Sequence, residues 1–149
     1  MKNHSEKAAE LFREGYNCAQ SVFAAYCDVT NIDKETALKL SSSFGGGMGR
    51  LREVCGALTG AFMVAGIIYG YTSPADDIAK AEHYALIQKI AKKFKERNGT
   101  IICRELLELS EKHSLPTPVK RNEEYYATRP CERFVYEAAE IMDEILKEK

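Results

Sequence analysis

The chain lacks a clear excess of either charge. It carries 21 Lys and Arg against 22 Asp and Glu, a formal net charge of −1 at pH 7. Nucleic acid is therefore not expected as a partner, because binding to its backbone needs a basic excess. Residues 1–7 also lack the apolar stretch of a signal peptide. We therefore expect a cytoplasmic protein whose thiols are mostly reduced.

Several common motifs and patterns are missing as well. No Cys-x-x-Cys pair occurs, which removes the signatures of a zinc knuckle, a ferredoxin-type cluster and a thioredoxin-type motif. No strand pattern, internal repeat or low-complexity segment is found, and 149 residues suit a single core. The sequence predicts one all-α domain over residues 1–149, a bundle of about six or seven helices.

The bundle is expected to surround a central apolar helix at residues 51–70. The run from Val54 to Tyr71 contains no charged residue, so it lies either in a helical core or in a membrane. It only just reaches the length of a membrane span, and its glycines, threonine and tyrosines would largely offset the free energy of insertion. We therefore expect a buried helix and no membrane insertion. Gly56 and Gly60 share one face of it, where a neighbouring backbone could come close to Cys55.

Caps and breakers indicate the other helices. A helix opening at Ser5 ends at Gly15, and Asn17 with Gln20 caps a helix that begins at Cys18. The remaining predicted segments are a helix at about 34–43 capped by Asp33 or Asn31, a long helix at about 75–97 with Ile78, Ala81, Ala85, Ile87, Ile90 and Phe94 near its buried side, a helix at about 103–112, a loop at 114–128, and a final helix that begins at Cys131 after Pro130.

Four of the five cysteines fall in the first turn of a predicted helix: Cys18, Cys55, Cys103 and Cys131. Free N–H groups and the helix dipole stabilise a thiolate there, which lowers the thiol pKa and favours a nucleophile, an electron donor or a metal ligand. Each cysteine alone would be interpreted as a small buried residue, but four at helix starts predict a joint site. We expect Cys18 or Cys55 to have a lowered pKa. Cys27, half a revolution from Cys18 on the same predicted helix, is expected outside the site.

A glycine-rich loop precedes the central helix. Gly45, Gly46, Gly47 and Arg50 could form an anion or cofactor site, since successive backbone N–H groups attract negative charge. No strand precedes the loop and no Gly-Lys-Ser/Thr follows it, so it is not a P-loop. The alternative is that the glycines only make a sharp, closely packed turn. Either role places the loop next to Cys55.

The histidines and one basic stretch have simple interpretations. His83 could orient a thiolate if it faced the site, but a surface or half-buried position is the simpler interpretation. His4 and His113 are expected to be solvated. Residues 89–97 are interpreted as the exposed face of a helix, with docking of an acidic partner as the alternative.

Five landmarks follow one another along the chain: residues 15–20, 44–50, 53–57 with Gly60, 103–107, and Cys131. In this order they resemble the C_GCAxxG_C_C family of redox-active proteins, named after its spaced cysteines. The chain reads Cys55-Gly56-Ala57 where the family name has Gly-Cys-Ala, which we interpret as a variant of the same landmark. The resemblance implies a four-cysteine redox role, often alongside transport functions, and supplies no substrate.

The sequence thus predicts a thiol-based redox protein with Cys55 as its central thiol and Cys18, Cys103 and Cys131 as partners. Dithiol–disulfide exchange or electron transfer would make it a thiol–disulfide oxidoreductase, acting on a redox protein or a small thiol or disulfide. The pairing stays open, because four cysteines allow three connectivities. One alternative is a metal or iron–sulfur carrier with the same four cysteines as ligands, and another is a non-catalytic helical binding module. The sequence assigns no definite cofactor.

Overall fold

All regular secondary structure in the described part of the chain is helical, apart from one isolated antiparallel bridge between Val54 and Ile102. The structure, a computed structural model, describes residues 3–109, 114–118 and 120–148. The prediction of an all-α protein is confirmed. The elements are α1 His4–Arg13, α2 Cys18–Ala25, α3 Cys27–Thr30, α4 Lys34–Ser41, a 3-10 turn Ser42–Phe44, α5 Gly45–Met48, α6 Gly56–Tyr69, α7 Asp77–Asn98, α8 Cys103–Leu106, α9 Glu123–Thr128 and α10 Cys131–Glu148.

The predicted helix starts are set by local hydrogen bonds. Asn17 and Gln20 form the expected capping box at the start of α2. Asp33 caps α4 by accepting from the backbone N–H of Thr36. The carbonyl of Pro130 accepts from the backbone N–H of Phe134, so α10 begins at Cys131 as predicted.

Three predicted boundaries are wrong. The central helix begins at Gly56, because residues 52–55 hydrogen-bond through their backbone to residues 101–104. The helix predicted at 103–112 ends at Leu106, and residues 110–112 lie outside the described residues. The loop predicted at 114–128 contains α9, whose first turn is capped by the side chain of Asn122.

The central helix α6 packs against α2, α10 and α7, and α2 and α10 also pack against each other. Its first ten residues, 56–65, are mostly buried, but the helix then leaves the core and Ile67 is 51% exposed. A helix of 14 residues is about 21 Å long, well short of a bilayer core. Within the described residues, no helix combines the length and the hydropathy needed to span a membrane.

The long helix α7 packs on the core from Leu86 onwards. Leu86, Ile90 and Phe94 are buried there, and Ile87 is half-buried. The prediction that Ile78, Ala81 and Ala85 face the core is wrong. All three are exposed, because the first turns of α7 extend past the bundle.

The basic residues at 89–97 form ion pairs with other residues of the same chain. Lys89 pairs with Glu148 at 2.6 Å, and Arg97 bridges Glu140 and Glu144 at 2.6 and 3.0 Å. These carboxylates belong to α10. The stretch is therefore a partly exposed face that holds α7 against α10, and each exposed pair adds at most about 1 kcal/mol.

The expectation that His4 is solvated is wrong. Its ring stacks on Tyr26 with centroids 4.2 Å apart, and its nitrogens lie 2.8 Å from Asp143 and 3.0 Å from Asp28. The buried Tyr26 hydroxyl donates to the carbonyl of Ala139 at 2.7 Å. This group joins α1, α2 and α10. His113 lies outside the described residues.

Two glycines allow the close approach of α6 and α2 that was predicted for the central helix. A Cβ atom at Gly60 would lie 2.9 Å from the carbonyl oxygen of Ala19 and 3.0 Å from Cβ of Val22. A Cβ atom at Gly56 would lie 2.8 Å from the carbonyl oxygen of Phe44. No side chain fits at either position unless the backbones separate.

We predict that Gly60→Ala lowers the free energy of unfolding by about 1–2 kcal/mol, because the added methyl group overpacks the α2–α6 contact. Gly66→Ala is the matched control. Gly66 lies in the same helix, and a Cβ atom added there would have no neighbour within 4 Å. This substitution should raise the free energy of unfolding by up to about 1 kcal/mol through helix propensity. Urea denaturation of both variants measures the difference, and equal effects would contradict close packing at Gly60.

Candidate functional site

One cavity of about 420 Å³ is lined by the four cysteines that were predicted to form a site: Cys18, Cys55, Cys103 and Cys131. Cys27 lines a different depression, beside Asp28 and Lys34. All five cysteines are free thiols. The structure therefore places the four predicted cysteines together and Cys27 apart, while their chemical roles stay a prediction.

Helix starts bring three of these cysteines to the cavity. Cys18 and Cys131 are the first residues of α2 and α10, and Cys55 immediately precedes α6. Since α2, α6 and α10 pack against one another, their N-termini converge on the cavity. A helix start does not by itself identify a site residue, because Cys27 begins the short helix α3 instead of continuing α2 as predicted.

The fourth cysteine arrives through the isolated bridge. The backbone N–H of Cys55 donates to the carbonyl of Ile101, and the N–H of Cys103 donates to the carbonyl of Glu53. These bonds hold the segment before α6 beside the segment before α8. Cys55 and Cys103 are thereby fixed on neighbouring strands of backbone.

The glycine loop forms the wall next to these thiols. A Cβ atom at Gly47 would lie 2.7 Å from Cβ of Cys103, and one at Gly45 would clash with the side chain of Asn17, which caps the helix of Cys18. Gly45, Gly46, Gly47 and Arg50 all line the cavity, as the sequence predicted for a loop next to Cys55. The close packing supports the turn interpretation. It does not exclude the anion interpretation, because the loop also carries arginines.

The loop backbone is left-handed over a run of residues. The φ angles of Gly46, Gly47, Met48, Gly49 and Arg50 are 67°, 68°, 71°, 59° and 67°, and Arg52 follows at 61°. Non-glycine residues rarely adopt this conformation, which costs about 1–2 kcal/mol per residue. The turn directs Arg50 and Arg52 to the cavity wall.

Four arginines from three segments line the cavity. Arg50 and Arg52 lie beside the glycine loop, as expected for the possible anion site, whereas Arg121 and Arg129 were not predicted from sequence. The described residues that line this cavity include no Asp or Glu. In the described part of the chain, none of the four guanidinium groups pairs with a carboxylate. The cavity is therefore strongly positive.

Two of the arginines, Arg52 and Arg121, are held by neutral partners. Arg52 is only 6% exposed and donates to the hydroxyl of Ser114 at 2.9 Å and to the sulfur of Cys103 at 3.6 Å. Arg121 donates to the carbonyls of Phe12 and Tyr16 and stacks over the Phe12 ring at 4.2 Å. These contacts orient the charge without neutralising it.

The remaining two arginines have looser surroundings. Arg129 lies over the Tyr125 ring, 5.7 Å from its centroid. Nε of Arg50 is buried and has no hydrogen-bond partner in the described structure. Desolvation, followed by the neighbouring charges of Arg52 and Arg129, lowers the pKa of Arg50 from its ordinary value. The guanidinium groups thus repel one another across the cavity.

Cys131 is the thiol best suited to ionise. A hydrogen bond from the Cys18 thiol, followed by the charges of Arg129, Arg52 and Arg121, lowers its pKa to about 7 despite its burial. The same hydrogen bond, together with burial, raises the pKa of Cys18 well above its ordinary value. The two thiols thus form a thiolate–thiol pair in which Cys18 holds the proton.

The prediction that Cys18 or Cys55 has a lowered pKa is therefore wrong. Burial raises the pKa of Cys55 to about 12, although the backbone N–H groups of Leu58 and Ala57 hydrogen-bond to its sulfur. The helix-start effect is present at Cys55, and desolvation outweighs it. Burial also raises the pKa of Cys103, although the hydrogen bond and charge of Arg52 oppose it. Cys55, which the sequence suggested as the central thiol, is poorly suited to act as a nucleophile.

The alternative of a four-cysteine metal centre finds no support in the geometry. Within residues 3–109, 114–118 and 120–148, no three Cys, His, Asp or Glu side chains are placed to hold one metal ion. His83 does not line the cavity and packs against Tyr71 instead, so it does not orient a thiolate. Tyr125 does line the cavity. It lies in α9, and the sequence signal for that helix is Asn122, whose side chain accepts from the backbone N–H of Tyr125.

We predict that alkylation of reduced protein by iodoacetamide modifies Cys131 first, with a half-maximal rate near pH 7, because the thiolate is the reactive form. Cys55 should react far more slowly than Cys131 at every pH below its pKa of about 12. Peptide mapping of samples quenched over time gives the rate at each cysteine. Arg129→Gln should move the Cys131 midpoint to higher pH, since a stabilising charge is lost.

Glu132→Gln is the matched control for that substitution. Glu132 follows Cys131 in the first turn of α10 but does not line the cavity, and its carboxylate pairs with Arg13. It should leave the midpoint unchanged within about half a pH unit. A midpoint above about pH 8.5 in the unsubstituted protein, the value of an ordinary thiol, would contradict activation of Cys131.

Comparison with known proteins places this geometry in a family. Residues 16–145 match the family described as "Putative redox-active protein (C_GCAxxG_C_C)". An uncharacterized protein of Archaeoglobus fulgidus is 32% identical over 110 residues, which cover 67% of this chain and 71% of the relative. No solved structure matches the chain. The resemblance predicted from the spaced cysteines is confirmed, and the chain belongs to the C_GCAxxG_C_C family of redox-active proteins.

Proposed function

We propose that the protein exchanges two electrons with a disulfide through the pair formed by Cys131 and Cys18. The observation that carries the proposal is a thiolate–thiol pair inside a cavity rich in arginine. Cys131 has the lowered pKa and Cys18 holds the proton beside it. A thiol–disulfide reaction needs this combination of a ready nucleophile and a second thiol in contact with it.

In the first step the Cys131 thiolate attacks one sulfur of the substrate disulfide. A mixed disulfide forms between Cys131 and one half of the substrate, and the other half leaves as a thiolate. The positive charges of Arg129, Arg52 and Arg121 stabilise the negative charge that moves along the line of sulfur atoms.

In the second step Cys18 resolves the mixed disulfide. Its proton passes to the departing thiolate or to water, and its sulfur attacks Cys131. The bond between Cys131 and the substrate breaks, the second half leaves as a thiolate, and a Cys18–Cys131 disulfide remains. The substrate gains two electrons and the two cysteines lose them. A dithiol reductant restores the pair by the reverse exchange.

Cys55 and Cys103 fit a secondary role. Both keep their protons at neutral pH because burial raises their pKa. The negative charge of the Cys131 thiolate also raises the pKa of both thiols, because the sulfur atoms lie close enough to repel one another when ionised. Such protonated thiols act as a second pair only after the first pair is oxidised and its negative charge is gone.

We predict that Cys18→Ser accumulates a stable mixed disulfide at Cys131, because the resolving sulfur is missing. Reduced protein is mixed with a small uncharged disulfide, and intact mass and peptide mapping identify the adduct. The unsubstituted protein should instead release both halves of the reagent and gain a Cys18–Cys131 disulfide.

Cys27→Ser is the matched control, because Cys27 lies outside the cavity. It should behave like the unsubstituted protein. An adduct on Cys55 or Cys103 in the Cys18→Ser variant, with Cys131 left free, would assign the nucleophile elsewhere and overturn this mechanism.

A further inference from the structure

We propose that the substrate is a small disulfide that carries at least two negative charges on carboxylate or phosphate groups. The inference rests on the proposed thiol–disulfide exchange and adds the class of substrate. Three observations carry it: the size of the cavity, the burial of three of its thiols, and four arginines that pair with no carboxylate among the described residues.

The first observation concerns access. Cys55, Cys103 and Cys131 are only 4%, 7% and 8% exposed, and all of them face the cavity. A disulfide on the surface of a folded protein cannot bring its sulfur atoms to a thiol that is recessed in this way. The cavity volume of about 420 Å³ lies in the usual range for small-molecule sites, roughly 300–1,000 Å³.

The second observation is an uncompensated charge. The four arginines that line the cavity are positively charged at neutral pH, and the described residues that line it with them include no Asp or Glu. The Cys131 thiolate supplies one negative charge, while the other three thiols stay protonated. About three positive charges are left, and an anionic substrate with at least two charges would relieve their repulsion.

The third observation identifies a donor that is ready for an anion. Nε of Arg50 is buried and has no hydrogen-bond partner among the described residues, while its neighbour Arg52 already donates to Ser114 and Cys103. Leaving a buried donor without a partner is destabilising. Guanidinium groups bind carboxylate and phosphate groups through paired hydrogen bonds, which would satisfy this nitrogen.

Arg50 also separates substrate binding from thiol activation. Arg129, Arg52 and Arg121 lower the pKa of Cys131, and Arg50 is not among the principal causes. Removing the charge of Arg50 should therefore weaken the preference for anionic substrates without a large change in the thiolate fraction. Arg50 belongs to the glycine loop, whereas Cys18 and Cys131 begin α2 and α10.

The test compares three disulfide reagents of different charge on the reduced protein: dithiobis-nitrobenzoate, a dianion; dithiodipyridine, which is uncharged; and cystamine, a dication. Each rate constant is divided by that of mercaptoethanol with the same reagent, which removes the reagent's own reactivity. The normalised rate for the dianion should exceed that for the uncharged reagent by at least about tenfold, and the dication should be slower than both. Added salt should reduce these differences.

Three variants assign the effect to the cavity. Arg50→Gln should reduce the ratio of dianion to uncharged rates by about three- to tenfold, and Arg50→Lys, which keeps the charge, should restore most of it. Lys92→Gln removes the same charge from an exposed position on α7, away from the cavity. It should change the ratio by less than about twofold, because exposed charges are screened.

Calorimetry separates the two sources of negative charge. Pyrophosphate and citrate are titrated separately into reduced protein, and binding of either one that weakens in Arg50→Gln supports the proposal. The tighter of the two tells whether phosphate or carboxylate groups fit better. Normalised rates that do not depend on reagent charge, or failure of both anions to bind at about 10 mM, would overturn the proposal.

The same measurements distinguish this proposal from the one on which it rests. If the uncharged reagent produces the Cys18–Cys131 disulfide but no charge preference is found, the exchange mechanism stands and the substrate class is wrong. If the uncharged reagent produces no disulfide between these cysteines, the exchange mechanism is wrong, and anion binding by calorimetry still tests the cavity by itself.

Discussion

The contact between α2 and α6 across Gly56 and Gly60 is the constraint on which the rest of the site depends. With no side chain at either glycine, the backbone of α2 at Ala19 lies directly against α6. This brings the start of α2, with Cys18, next to the start of α6, with Cys55. Since α10 packs against both helices, Cys131 joins them at the same end of the bundle. Three cysteines thus meet because of one helix–helix distance.

Electrostatics then decides which thiol is reactive. Cys55 has the backbone hydrogen bonds of a helix start and still keeps its proton, because the apolar core around it penalises a charge. Cys131 is also buried at the start of a helix, but the Cys18 thiol hydrogen-bonds to it and three guanidinium groups lie near it. A helix N-terminus alone therefore does not activate a thiol in this fold. Charge supplied by other segments is needed, and that charge comes from the glycine loop and from the chain near α9.

The features that follow from short-range pattern were predictable from sequence. Asn17 and Pro130 mark the starts of two helices, and the uncharged run after Val54 marks the central helix. The all-α class and the placement of cysteines at helix starts could therefore be predicted. Long-range features could not. Arg121 reaches the site by bonding to carbonyls of Phe12 and Tyr16, more than a hundred residues earlier in the chain, and nothing in the local sequence indicates this. Likewise, Ile78 has the spacing of a buried residue, but the bundle ends before the helix does.

The left-handed turn at 46–50 has a consequence for how this protein tolerates change. Met48, Arg50 and Arg52 hold a backbone conformation that glycine adopts with little strain. Glycine at Arg50 would relax the turn and would also remove a guanidinium group from the cavity. At Arg50 a less strained backbone and a more positive cavity are therefore incompatible. At Arg52 the same change would also remove the buried hydrogen bonds to Ser114 and Cys103. A search for heat-resistant variants would therefore tend to change Arg50 before Arg52, and the cavity would lose positive charge.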